Sequence, residues 1–98
     1  MEFESLPLHD ASLNKIQYDW EIHQLNINGI LCSKSHSKFK LIFESVSFVG
    51  IPHKYEWGES KSINELTTNG KGVFNINMQS GDIISVKAKK YSYESENT

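Results

Sequence analysis

Two groupings in this 98-residue chain combine residue types that carry chemistry elsewhere. Cys32 and His36 share one polar segment, where an imidazole could hold a thiol as its thiolate. His9 stands directly before Asp10, and a carboxylate can orient an imidazole for metal binding or catalysis. Each has a plainer reading. No third residue in view would orient His36, which leaves Cys32 as a half-buried cysteine at a strand end. His9 and Asp10 read as a satisfied structural hydrogen bond near the first strand. The sequence has no Gly-x-Ser-x-Gly elbow, phosphate loop or zinc-protease helix signature. His9, His23, His36 and His53 are scattered, without the close pairs that anchor zinc. The expectation is a protein that is not an enzyme and holds no metal or cofactor.

The elements that must position these residues are strands. Ile16, Tyr18 and Trp20 alternate with Lys15, Gln17 and Asp19, the period of a strand with one buried face. On that reading Trp20 packs in the core. Leu25, Ile27 and Leu31 continue the pattern, with Asn28-Gly29 placed for a bulge or turn. Ser33 to Ser37 reads as a loop, and Phe39, Leu41 and Phe43 open a third strand. Val46, Phe48 and Ile51 form a fourth or extend the third, until Gly50 and Pro52 end the run. Between His53 and Asn69 the alternation fails. There Ser62-Ile63-Asn64-Glu65-Leu66 suggests a helical turn after a serine cap. Phe74, Ile76 and Met78, then Ser80-Gly81, then Ile84, Val86 and Ala88 predict a hairpin over 73–89. The polar residues 92–98 are expected to fray. The fold class that follows is mainly β: an antiparallel sheet folded as a small sandwich or half-open barrel, with at most one short helical turn.

One domain is expected at this length, with little room for a deep substrate cavity. A hydrophobic share of 38% argues for a folded chain. No run approaches the roughly 20 apolar residues that span a bilayer, and the first residues lack a secretory leader. A lone cysteine marks no oxidising compartment, so the cytoplasm is the expected location. The net charge is −2 and every basic residue is a lysine. Without arginine's bidentate fork, and with an isoelectric point near 6.0, a nucleic-acid partner is not expected.

The remaining signal is aromatic and acidic. Trp57 lies in an irregular segment beside Glu56 and Glu59, an aromatic rimmed by carboxylates as in an interface anchor. Its plainer role is to plug the open end of the sheet. Asp19 and Glu21 flank Trp20 in the same way. Asp19, Glu21, Glu56, Trp57 and Glu59 are therefore the candidate contacts to a basic protein partner, by steering and a central aromatic. Lys34, Lys38, Lys40, Lys87, Lys89 and Lys90 would make a basic patch if their strands adjoin, and are otherwise a solvated face.

Leu8-His9-Asp10-Ala11, Asp19-Trp20, Trp57-Gly58-Glu59-Ser60 with Ile63-Asn64, and Gln79-Ser80-Gly81-Asp82 form an ordered set. In it the chain resembles, over nearly its whole length, the small bacterial β-sandwich immunity proteins of polymorphic and contact-dependent growth inhibition toxin systems. The resemblance implies a non-catalytic inhibitor that blocks the active surface of a cognate toxin C-terminal domain, often a nuclease. The alternative expectation is a small-molecule or metal-binding module, or a minor enzyme, centred on His9 and Asp10.

Overall fold

In the computed structural model, residues 2–32 and 37–96 are described. Eight strands form two antiparallel sheets: β1 (Ser12–Asp19), β2 (Gln24–Ile30), β3 (Lys38–Glu44), β4 (Phe48–Gly50), β5 (Ile63–Thr68), β6 (Val73–Met78), β7 (Ile83–Lys87) and β8 (Lys90–Ser95). One sheet has the order β1-β2-β3-β8 and the other β4-β7-β6-β5. The only helical element among the described residues is a single 3-10 turn, Phe3–Ser5. The sheets stack as a small sandwich and do not close into a barrel. None of the described helices is long and apolar enough to cross a membrane.

Period-two alternation builds the shared core. Leu25 and Ile27 from β2, Phe39, Leu41 and Phe43 from β3, Phe74 and Ile76 from β6, and Ile84 and Val86 from β7 are buried in one apolar cluster. The 3-10 turn closes one side, its Phe3 ring lying 4.9 Å from Phe74 and 5.1 Å from Tyr91. Gly29 is required by packing, since a Cβ there would fall 2.1 Å from the Ser12 carbonyl oxygen and 2.5 Å from the Phe39 ring.

Several expectations are corrected. The bulge lies opposite Asn28-Gly29, in β1, where the register shifts between Leu13 and Lys15. Ser62 to Leu66 is no helical turn, because Ile63 opens β5, paired to β6 with a shift between Ile63 and Glu65. That bulge sends both Ile63 and Leu66 inward, three positions apart, and so imitates helical spacing. Residues 92–95 do not fray: they lie in β8, which pairs with β3 from Phe39↔Ser95 to Glu44↔Lys90. Trp20 is not in the core, being 79% exposed, because β1 is an edge strand that ends at Asp19 and nothing covers the next inward position. Phe48 begins a separate strand in the opposite sheet.

Among the described residues the lysines do not gather into one basic patch. Lys40 sits opposite Glu94, and Lys90 pairs with Glu44 at 3.3 Å, while Lys87 belongs to the other sheet. Cys32 is exposed, not half-buried. Lys34, His36 and the segment 33–36 lie outside the described residues.

Candidate functional site

Three stretches distant in sequence meet at one end of the sandwich: residues 9–11, the long β4–β5 connection 51–62, and the β6–β7 turn 79–82. Backbone hydrogen bonds stitch them. The amide of Ile63 donates to Ala11 O (2.8 Å), that of Asp10 to Ile63 O (2.8 Å), that of Gln79 to Ser62 O (2.9 Å) and that of Trp57 to Ser80 O (2.7 Å). Side chains complete the junction. His9 Nδ1 lies 2.6 Å from Asn64 O. A carbonyl partner puts the proton on Nδ1, and leaves Nε2 3.6 Å from Asp10. The Gln79 amide donates to Asp10 Oδ1 and, at 3.4 Å, to Ile63 O.

Asp82 holds the long connection down. It is the one buried acid among the described residues, and it is aimed inward by the same alternation that buries Ile84 and Val86. Its Oδ1 accepts from the amide of Lys54 (2.8 Å); its Oδ2 accepts from the amide of Tyr55 (3.1 Å) and the hydroxyl of Ser80 (3.0 Å). The Lys54 bond, followed by those from Tyr55 and Ser80, holds the carboxyl below its ordinary value of 3.8 against the opposing effect of burial; nearby His53 adds to the lowering. Tyr55 itself sits at φ 50°, a left-handed conformation costly for a bulky residue. The carboxylate compensates that strain.

What this framework presents to solvent is Trp57. Its ring runs over the β6–β7 turn at Gly81, whose φ is +96° and where any Cβ would stand 2.3 Å from Cδ1 of the indole. The glycine therefore meets two needs, a left-handed turn and close approach of an aromatic. Trp57 remains 74% exposed. The plug expected as its plainer role is corrected, because one edge of the ring is seated and most of it is left open. Glu56 and Glu59 are exposed beside it. Glu59 also rims a cleft of about 380 Å³ between β1 and the connection, lined by Leu13, Ile16, Ile51 and Ile84.

No family model, curated protein or solved structure matches the chain.

Of the candidate contacts, Glu56, Trp57 and Glu59 share this end. Asp19 and Glu21 do not. Ser12 bridges Ser62 at the start of β1, and Asp19 closes the same strand, roughly 20 Å away at about 3.3 Å per residue. There Asp19 Oδ1 accepts from the amides of Glu21 (3.1 Å) and Ile22 (3.4 Å), shaping the turn that displays Trp20. His9 and Asp10 lie within the junction, both exposed and both hydrogen-bonded. Among the described residues no group of three or more His, Cys, Asp or Glu side chains could hold a metal. Asp82 and Ser80 were missed as positioning residues in the sequence reading. The available signal was parity, since Asp82, Ile84, Val86 and Ala88 fall on one inward face.

Proposed function

We propose that the protein is a cytoplasmic, non-catalytic immunity protein that binds a cognate bacterial toxin domain, of the nuclease kind with a basic active surface, and occludes that surface. The observation that carries this reading is Trp57: a tryptophan 74% exposed, seated on Gly81 and fixed through Ser80 and Asp82, with Glu56 and Glu59 around it. A large aromatic fixed before binding loses little conformational entropy on docking, which is the economy of an interface hot spot. The flanking carboxylates favour a basic partner by steering its approach. His9 and Asp10 support the reading as parts of the framework, since their polar atoms already serve Asn64 and Gln79.

The test is binding of the basic protein domain that co-purifies with the chain to the wild type and to E56K/E59K over a range of salt concentrations. The charge-reversed protein is expected to associate at least tenfold more slowly at low salt, with a much flatter salt dependence. Unchanged association rate and salt dependence would remove Glu56 and Glu59 from the interface.

A further inference from the structure

β1 is an edge strand of its sheet. Its first residues are covered, with Ser12 bridged to Ser62 and the Leu13 amide donating to Lys61 O. From Asn14 to Asp19 its other side has no partner strand among the described residues, as β1 ends the sheet order β1-β2-β3-β8. The strand also carries apolar surface toward that open side. Ile16 and Tyr18 pair with Ile27 and Leu25 and so share their inward face, yet Tyr18 is exposed, and Trp20 lies 6.1 Å from it, ring to ring. Lys15, Gln17 and Asp19 line the outer face and are exposed. A long open edge of this kind is ordinarily capped or paired.

We propose that β1 pairs antiparallel with β1 of a second copy of the chain, centred on Gln17, to give a two-fold dimer whose sheet continues across eight strands. The sequence of β1 complements itself in that register. Ile16 stands opposite the second copy's Tyr18, so apolar meets apolar on the inward face, twice by symmetry. Lys15 stands opposite the second copy's Asp19, so opposite charges meet on the outer face, also twice. Gln17 meets Gln17, an amide that both donates and accepts. Asp19 uses Oδ1 within its own turn, and in this register its Oδ2 accepts from the lysine. Shifting the register by two residues brings Lys15 opposite Gln17 in one direction and opposite Glu21, beyond the end of β1, in the other; shifting it by four sets Lys15 against Lys15 or Asp19 against Asp19. The interface is isologous, as closed two-fold pairing requires, and it is centred on the open half of β1, whose Lys15 and Ile16 also line the cleft that Glu59 rims.

Sedimentation and oxidative crosslinking of the full chain test this. The wild type is expected to sediment as a dimer, K15E as a monomer of unchanged circular dichroism, and K15E/D19K as a dimer again. Q17C/C32S is expected to form a disulfide-linked dimer at least tenfold faster than N26C/C32S, whose cysteine sits on the same outer face but on the interior strand β2. Wild-type monomer up to about millimolar concentration, a dimer indifferent to K15E, failure of the double variant to restore it, or crosslinking at the rate of the N26C control would each overturn the proposal.

Discussion

Gly81 and Asp82 set the position of the Trp57 side chain, and their substitution separates two ways of losing it. Gly81→Ala imposes a left-handed conformation on an L residue and drives its methyl group into the indole. The expected cost is about 1 to 3 kcal/mol, seen as a fall in Tm of roughly 4 to 8 °C for each kcal/mol in a domain of this size, with a shift in tryptophan emission. Asp82 acts through charge. Because its folded pKa lies below the ordinary 3.8, its stabilising contribution is complete at neutral pH. As the pH falls below 3.8 the unfolded chain binds the proton first. The contribution then shrinks until the lowered folded value is passed. Thermal melts between pH 7 and pH 2 should show this acid loss in the wild type and a shallower one in Asp82→Asn, which starts from a lower Tm because an amide has a single oxygen to share between Lys54 and Tyr55. Equal slopes for the two proteins would mean that Asp82 does not hold the connection.

Among the elements, β8 makes the sharpest contrast with the sequence. Tyr91 packs at 5.1 Å from Phe3 and 5.4 Å from Phe74, and Tyr93 stacks 6.5 Å from Phe39. Ending the chain after Lys89 removes an edge strand and two rings from the core margin, so chemical denaturation should show a loss of at least about 3 kcal/mol or no cooperative transition at all. A stable, cooperative truncation would return 92–96 to the status of a tail. The sequence displayed Tyr91 and Tyr93 in alternation, but between lysines and glutamates, because an edge strand buries only half of one face. The hairpin of β6 and β7 was legible for the opposite reason: it is central, and Phe74, Ile76, Ile84 and Val86 are buried at every second position. The two bulges hid what lay around them, since Leu13 with Ile16 and Ile63 with Leu66 are spaced as on a helix while lying in strands. Trp20 was misread for want of an edge, because parity gives the side of the sheet and says nothing of whether a second layer extends that far.

Across the whole molecule, the candidate contacts divide between two ends. The acidic aromatic clusters looked alike in sequence, Asp19-Trp20-Glu21 and Glu56-Trp57-Gly58-Glu59, yet only the second is built on a junction of three distant segments. That junction gathers His9, Asp10, Asn64, Gln79, Ser80 and Asp82, residues whose common location no local pattern announces, because backbone pairing of Ile63 with Ala11 and Asp10, and of Ser62 with Gln79, brings them together. We propose that this end binds a toxin domain through Trp57. The most direct measurement is co-purification from the native cell of tagged wild type, W57A and W20A, with mass spectrometry of the stoichiometric partner and its affinity for each variant. The expected result is a basic toxin domain retained by the wild type and W20A, and weakened by W57A by about 2 kcal/mol or more, roughly 30-fold. Recovery of the protein without such a partner, or a partner held equally by W57A, would mean that this end does not bind a toxin through Trp57.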